Sequence, residues 1–315
     1  MTVTQGNIFE SRPYTADDLP ALLALVSQAT RDPSRTSHWD VGDVLWQMFR
    51  STAFDPTDNV RLWHRGDGQL VGFAWRDRRG SVSLQLHPQQ HDGAPLAEAM
   101  LAWAMAHWSA PGGDDCTRSL TTYAFEDDAQ RIELLHRHGF ALAEGHLLQR
   151  MERDLASPIP APSLTAGVVI RPLRDDTELA ERVALHRDVW AGSVVTVDSY
   201  RRMRAAPGYR ADLDLVAVLP DGAFASYCVC WLDPASETGE FEPVGTRAAY
   251  RRRGLGRAVV REGLRRLGAA GARTAIVYAM GVNPASRALY ESAGFRIVNR
   301  EYSYARRWER APDAQ

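Results

Sequence analysis

The stretch that decides the fold is Glu240-Phe241-Glu242-Pro243-Val244-Gly245-Thr246, followed after four residues by Arg251-Arg252-Arg253-Gly254-Leu255-Gly256-Arg257. A strand leads through a short loop into glycines that begin a helix. The first turn of a helix exposes backbone N–H groups at the positive end of its dipole, and glycine lets a ligand come close to them. Arginines beside the loop add positive charge. The stretch therefore predicts a phosphate or pyrophosphate site.

Two common nucleotide motifs do not fit. The dinucleotide fingerprint needs a third glycine where this chain has Val259, and the P-loop needs a lysine. The chain contains no lysine, so all 37 basic residues are arginine. A solvated charge run or a nucleic-acid contact is the alternative for Arg251–Arg253, but the rest of the helix is not basic and aromatic.

Pro243 interrupts the strand of this stretch. Proline cannot donate to a strand ladder, and strands precede and follow this one, so the interruption predicts a bulge in a central strand. A bulge can open a gap to a neighbouring strand. Val244 and Thr246 are two residues apart, so their N–H groups point the same way and can pair with an extended, amide-bearing ligand.

The second half of the chain reads as β-α-α-β-β-β-α-β-α-β. This order predicts an α/β fold with a mixed, mostly antiparallel sheet and helices on both faces. The predicted strands are 168–171, 213–219, 223–232, 239–246, 274–279 and 296–305, and the predicted helices are 177–190, 197–205, 255–267 and 284–293.

Short motifs recur at offsets of 154 to 159 residues, which predicts a duplicated domain. The pairs are Arg12-Pro13 with Arg171-Pro172, Asp67-Gly68 with Asp221-Gly222, and Gly139-Phe140 with Gly294-Phe295. We place one domain at 1–153, a proline-rich linker at 154–167 and a second domain at 168–315. The linker is either a semi-rigid spacer or a segment that runs along the surface of one domain.

A second motif begins at Asn283, a good N-cap that is followed by Pro284 at the first helical position. Gly294 is a natural residue just past the helix end. Tyr290 lies on this predicted helix, which follows the strand next to the presumed bulge. The tyrosine therefore either reaches the gap or packs half-buried in the core.

Together these two motifs resemble the GNAT superfamily of acetyl-CoA-dependent N-acetyltransferases. The family pattern Q/R-x-x-G-x-G/A stands as Arg251-Arg252-Arg253-Gly254-Leu255-Gly256, and Asn283, Tyr290 and Gly294-Phe295 match the later pattern. The direct match covers about residues 239–300. The duplication extends it to a tandem arrangement similar to that of mycothiol synthase and other two-domain GNAT proteins.

The resemblance implies acetyl-CoA as co-substrate. Backbone groups of Val244 to Thr246, including Gly245, would hold the pantetheine arm, and the loop and helix start would bind the pyrophosphate. Asn283 would lie near the cofactor arm. The implied cofactor-binding residues are Val244, Gly245, Thr246, Arg251, Arg252, Arg253, Gly254, Leu255, Gly256, Arg257 and Asn283.

The resemblance also implies the catalytic groups. Tyr290 would protonate the departing CoA thiolate. The family often places its general base two or four residues before the first pantetheine-binding residue, at Glu242 or Glu240 here, and strand parity puts both on one face. Two glutamates on one face raise each other's pKa, which suits a base near neutrality. We slightly prefer Glu240, and both stay open.

The first half departs from the family pattern. Gln90 and Gly93 fit it, but Pro95 replaces the second glycine. The counterpart of Tyr290 is Leu135, which cannot donate a proton, and the glutamate positions near Ser81–Gln85 hold no carboxylate. We expect this half to have lost catalysis, while its cofactor binding is left open.

Composition limits the cell compartment and the partners. The 315 residues include 39 acidic and 37 basic side chains, for a net charge of −2, which gives no electrostatic case for nucleic acid or a membrane. The N-terminus has no signal-peptide pattern, and three cysteines make no disulfide framework, so we expect a cytoplasmic protein. We expect a small-molecule partner and either a monomer (a pseudo-dimer) or a homodimer.

Other candidate sites are weak. We expect no metal, because the histidines lack ligand spacing and Cys228 and Cys230 lack further zinc ligands, so they fit core packing better. Trp190 and Tyr200 are candidate substrate contacts by position, since the corresponding region often lines the acceptor site in the resembling family.

The sequence therefore predicts an acyltransferase that moves acetyl from acetyl-CoA to a primary amine of a small molecule in a ternary complex. One alternative is a non-catalytic CoA-binding or regulatory protein, against which Glu240, Glu242 and Tyr290 argue. The other is an N-acetyltransferase that acts on a protein N-terminus or an aminoglycoside-like antibiotic.

Overall fold

The computed structural model describes residues 9–32, 38–77, 80–89, 93–107 and 117–309. The α-helices in these ranges are α1 (Leu19–Arg31), α2 (Val41–Phe49), α3 (Pro56–Asn59), α4 (Gly93–Ala106), α5 (Ala129–Arg137), α6 (Leu179–Val189), α7 (Val197–Arg204), α8 (Leu255–Ala269) and α9 (Pro284–Ser292). The strands are β1 (Phe9–Pro13), β2 (Val60–Arg65), β3 (Leu70–Arg76), β4 (Val82–Leu86), β5 (Thr117–Phe125), β6 (Ala141–Asp154), β7 (Val169–Pro172), β8 (Asp214–Val218), β9 (Phe224–Asp233), β10 (Thr238–Thr246), β11 (Thr274–Met280) and β12 (Arg296–Glu309).

The chain forms two compact units, and each unit is assembled from separate stretches of the sequence. The first unit contains the described residues of 1–39, 55–148 and 299–315, and the second contains 40–54 and 149–298. Helix α2 therefore belongs to the second unit, and most of β12 belongs to the first. The sequence motifs did not indicate either exchange.

In the first unit, β1 to β4 form an antiparallel sheet in that order. Strand β5 pairs antiparallel with β12 from Glu301 to Glu309. Strand β3 is buried along nearly its whole length, which fits its almost unbroken apolar sequence. Its side chains pack with those of α4 and α5 into one core, whose members include Val71, Leu84, Leu96, Met100, Leu120, Leu134 and Leu135.

In the second unit, the strand order is β6-β11-β10-β9-β8-β7, with residues 149–154 of β6 at one edge. Strands β7 to β10 are antiparallel, and β10 and β11 are parallel. Helix α8 packs on one face through apolar side chains at helical spacing. An added Cβ at its Gly263 would lie 2.6 Å from the Phe241 ring, so glycine permits this close approach.

The structure confirms the predicted elements of the second half. Helix α6 is shorter than predicted, and β12 extends four residues further because it pairs with β5. A turn at Pro220–Gly222 joins β8 to β9, with a hydrogen bond from Leu219 N to Ala223 O. The predicted α/β class with a mixed sheet is confirmed. No helix in the described ranges combines the length and apolar composition that a bilayer crossing requires.

The proline-rich segment after β6 contains no helix or strand. Leu155 and Ile159 pack against the core of the second unit. Of the two possibilities for this segment, its contacts favour a path along the surface of one domain. The domain boundaries drawn from the repeat stay predictions.

Candidate active site

The predicted bulge in β10 is confirmed. Strand β10 pairs with β9 from Thr238 to Phe241 and again from Val244 to Thr246, and the register shifts between the two stretches. The shift falls at Glu242 and Pro243, which are joined by a cis peptide bond. Proline cannot donate to the ladder, so the shift lies where the sequence interrupts it.

A gap opens beside this bulge. The parallel ladder between β10 and β11 ends at Glu240, paired with Ile276, although both strands continue beyond it. On the other side, Arg247 N donates to Ala225 O of β9 at 3.0 Å. Because backbone N–H groups alternate along a strand, those of Val244 and Thr246 point away from β9 and toward the gap.

The gap is part of a cleft of about 520 Å³. Most of the predicted cofactor-binding residues line it, which brings the two sequence motifs together. Those lining it are Val244, Gly245, Thr246, Arg251, Arg252, Gly254, Leu255, Gly256, Arg257 and Asn283.

The start of α8 forms the positively charged end of the cleft. Gly254 is the N-cap and has φ of 79°, a left-handed conformation that favours glycine. An added Cβ at Gly256 would lie 3.1 Å from Thr246 Oγ1, so the helix begins close to β10. Arg253 is the exception among the predicted residues, because its guanidinium lies over the Tyr250 ring, 5.5 Å from the centroid, and does not line the cleft.

Tyr290 lies on α9 and forms part of the cleft wall. Asn283 caps this helix as predicted, and its Oδ1 accepts a hydrogen bond from Ser286 N at 3.2 Å. The Tyr290 side chain is 6% exposed and packs edge-on against Phe295. Burial and then the charge of Glu242 raise the pKa of the Tyr290 hydroxyl, so it stays protonated at neutral pH.

Glu240 and Glu242 have different surroundings. Glu240 is 4% exposed, its Oε2 accepts from Asp43 N at 3.1 Å, and its Oε1 is buried without a hydrogen-bond partner among the described residues. Burial and then the charges of Asp43 and Asp40 raise its pKa well above the usual range. Glu242 is half-buried, and burial raises its pKa to about 7 against the opposing effect of Arg50.

Sequence reasoning missed the carboxylates that face Glu240 from α2. Asp40, Asp43 and Glu240 each offer an oxygen, and the three oxygens lie within 4.8 Å of one another. Arg150 Nη1 donates to Asp40 Oδ2 at 2.8 Å and to Tyr278 Oη at 2.6 Å. Tyr278 lines the cleft, so this acidic cluster lies directly behind the cleft wall. About 200 residues separate Asp43 from Glu240 in sequence, and no local pattern indicated their contact.

The two predicted substrate residues lie in different places. Trp190 is 40% exposed and lines the cleft, and its Nε1 donates to Tyr227 Oη at 2.9 Å. Tyr200 is 1% exposed and donates to Asp214 Oδ2 at 2.6 Å. Tyr200 is therefore a core residue and does not line the cleft. Cys228 and Cys230 are also buried in the core, with sulfur atoms 3.8 Å apart.

The chain is similar to known acetyltransferases. Residues 182–295 match the family model described as the acetyltransferase (GNAT) family. A mycothiol acetyltransferase from Kineococcus radiotolerans is 29% identical over 310 residues, which cover 93% of this chain and 94% of the relative. Another, from Nocardioides sp., is 27% identical over 299 residues, which cover 89% and 94%. These matches indicate an N-acetyltransferase with a GNAT domain at 182–295.

The GNAT fold extends to both units. The tandem GNAT protein from the clavulanic acid biosynthesis pathway superposes with a TM-score of 0.67 at 18% identity, covering 97% of this chain and 100% of that one. A GCN5-related N-acetyltransferase from Sphaerobacter thermophilus superposes with a TM-score of 0.65 at 20% identity, covering 99% and 98%. At these identities the likeness shows the fold, which is a tandem of two GNAT-like domains.

The first unit differs from the second at the positions that correspond to the candidate site. Leu135, the counterpart of Tyr290, is fully buried in the core. Gly93 begins α4 with Pro95 in its first turn, and Gln90 lies outside the described residues. No carboxylate stands in Ser81–Gln85. The loss of catalysis in this unit stays a prediction.

Proposed function

We propose that this GNAT acetyltransferase moves an acetyl group from acetyl-CoA to a primary amine of a small molecule by direct attack in a ternary complex. The observation that carries the proposal is the gap between β10 and β11, which opens after Glu240 and has Tyr290 on its wall. GNAT acetyltransferases use acetyl-CoA as acyl donor.

The residues around the gap fit acetyl-CoA. The N–H groups of Val244 and Thr246 point toward the gap and can pair with the amides of the pantetheine arm, much as a peptide adds to a strand edge. The first turn of α8, with Arg252 and Arg257, supplies N–H groups and positive charge for the pyrophosphate. No metal is needed for this binding mode.

The carboxylates of Glu240 and Glu242 together provide the proton acceptor. An amine arrives as ammonium and must lose a proton before its nitrogen can attack. Both pKa values are raised, and the charge of Glu242 is one cause of the shift at Glu240, so the pair loses protons in coupled steps. Glu242 is half-buried and can pass its proton to solvent, while Glu240 offers an Oε1 that has no hydrogen-bond partner among the described residues.

Acetyl transfer then proceeds as an addition and elimination at the thioester carbonyl. The neutral amine nitrogen forms a bond to the carbonyl carbon, and the N–H of Val244 stabilises the oxygen that becomes negative. The C–S bond breaks as the intermediate collapses. Tyr290 gives its hydroxyl proton to the departing sulfur, which leaves as the CoA thiol. The nitrogen, which became positively charged on attack, gives its second proton to the tyrosinate, so the neutral amide forms and Tyr290 regains its proton. The proton removed from the ammonium stays on the glutamate pair until solvent takes it.

The surroundings of the cleft favour a cationic small-molecule acceptor. Asp40, Asp43 and Glu240 lie close together behind the Tyr278 wall, where burial and mutual repulsion raise the pKa of Asp43 and of Glu240, so this acidic cluster favours a positive charge nearby over a further negative one. Trp190 offers an exposed indole face on the same cleft. The relatives named mycothiol acetyltransferase support an acceptor related to mycothiol.

A thiol-release assay over a panel of amines tests the proposal. The panel contains amino sugars and their aminoacyl derivatives, polyamines, an aminoglycoside and peptides with free N-termini. We expect CoA thiol release with a small amine and none without acceptor. CoA binding without release for any amine would favour the non-catalytic alternative, and release with peptides alone would indicate a protein N-terminus as acceptor.

A further inference from the structure

The first unit repeats the strand arrangement that opens the cleft of the second. Ser81, which directly precedes β4, and Thr121 of β5 form an isolated parallel β-bridge. Glu240 and Ile276 make the last parallel pair between β10 and β11 in the same way. Beyond the bridge, β4 and β5 both continue without forming a ladder with each other in the described residues. A ligand arm could enter such a gap if it were empty.

Arg131 reaches across this gap. It lies on α5, which follows β5, and its Nη1 donates to the backbone oxygen of Leu84 on β4 at 2.9 Å. Its Nε and Nη2 atoms are buried and have no partner among the described residues. Arg131 lies eight residues before Gly139, and Ser286 lies eight residues before Gly294. Arg131 is therefore the counterpart of Ser286, a small residue that lines the cleft of the second unit.

Gln85 and His38 join the same two strands further along. Gln85 on β4 is fully buried, and its Oε1 accepts a hydrogen bond from His38 N at 2.8 Å. The His38 ring stacks on Phe125 of β5 with centroids 4.5 Å apart. His38 Nδ1 also lies 2.8 Å from Glu301 Oε1, which holds the ring in place. These contacts link β4 to β5 where the second unit is open.

We propose that these side chains close the first unit to coenzyme A, so that each chain binds one coenzyme A molecule, in the second unit. A pantetheine arm entering between β4 and β5 must displace Arg131 from Leu84 and separate Gln85 from His38. Each displaced group would leave a buried polar atom unpaired, which is costly. The inference rests on the proposed function, because it takes the second-unit cleft as the coenzyme A site.

Stoichiometry of binding to the full chain tests the inference. Isothermal titration calorimetry with coenzyme A, checked by equilibrium dialysis, is expected to give one site per chain. Two sites would overturn the inference and leave the proposed function intact. Binding by neither method would contradict the proposed function, and the inference with it.

Two valine variants locate the site. Gly256→Val places a branched side chain at the start of α8, where an added Cβ already lies 3.1 Å from Thr246 Oγ1, and is expected to abolish coenzyme A binding. Ala94→Val adds a branched side chain at the start of α4, next to Pro95, the counterpart of Gly256, and is expected to leave stoichiometry and Kd unchanged. Thermal melts verify that both variants fold.

Hydrogen–deuterium exchange of the unaltered chain gives the same answer without a variant. Coenzyme A is expected to slow amide exchange in 244–257 and 284–292, and to leave 82–86 and 129–137 unchanged. Protection of the first-unit segments, or binding by Gly256→Val at the affinity of the unaltered chain, would overturn the inference.

Discussion

At the scale of single residues, burial sets the chemistry of the cleft. The hydroxyl of Tyr290 has a raised pKa, so it carries its proton at neutral pH and can donate it as the C–S bond breaks. Its helix and its position in the motif were predictable from Asn283 and Gly294, which cap the helix at each end. Its burial and the influence of Glu242 depend on tertiary packing, which no local pattern contains.

Removal of the Tyr290 hydroxyl should slow the chemical step. We expect Tyr290→Phe to lower kcat by about 100-fold or more, because general acid catalysis typically contributes that much, with little change in the Kd for CoA. Tyr200→Phe is the matched control, since it deletes a buried hydroxyl outside the cleft. It should lower the melting temperature and leave kcat near the original value. Full activity of Tyr290→Phe would exclude it as the acid.

The glutamate pair predicts a pH dependence. A base acts only when ionised, so kcat/KM should rise with pH up to about 7, where Glu242 titrates, and then level off until another group intervenes. We expect Glu240→Gln and Glu242→Gln each to lower kcat at least about tenfold, and the double variant about 100-fold. Glu262→Gln, on α8 outside the cleft lining, is the control. A double variant with the original pH profile would place the proton acceptor elsewhere.

At the scale of elements, the sequence was informative wherever its signals are local. Gly254, Pro243 and Asn283 mark a helix start, a bulge and a helix cap, and each feature lies where the pattern predicted. The gap follows from the bulge, because the ladder between β10 and β11 ends beside it. Signals of this kind could not distinguish Arg253 from its neighbours, since loop geometry decides which arginine faces the cleft.

That difference between arginines is testable. Arg257→Gln removes a charge that lines the cleft and should weaken CoA binding several-fold at low salt, with a smaller effect at high salt because ions screen the interaction. Arg253→Gln removes an equal charge that lies over Tyr250 and should change the Kd less than about twofold. Calorimetric titrations at two ionic strengths measure both. Equal effects for the two variants would mean that charge near α8 acts without regard to position.

At the scale of the whole molecule, the tandem fold was predictable and the exchange of segments was not. The repeated motifs indicated two domains, but α2 packs with the second unit and most of β12 with the first. Pairings between distant segments leave no local trace, and the contact of Asp43 with Glu240 is an example. The acidic cluster behind the cleft was missed for the same reason.

The exchange predicts that residues 168–315 alone do not form a stable domain. This fragment lacks α2, which covers Glu240, and Met151, a fully buried member of the second-unit core. We expect no cooperative thermal transition and no CoA binding, as measured by circular dichroism and calorimetry on the fragment beside the full chain. A fragment that melts cooperatively near the full-length Tm would show that those segments contribute little.

The gap between β10 and β11 is the proposed site of the thioester arm. A crystal structure of the chain with coenzyme A tests it most directly. We expect density for the pantetheine arm between these strands, with the N–H groups of Val244 and Thr246 as donors and the sulfur beside Tyr290. Coenzyme A bound elsewhere, or β10 and β11 paired along their whole length, would contradict it.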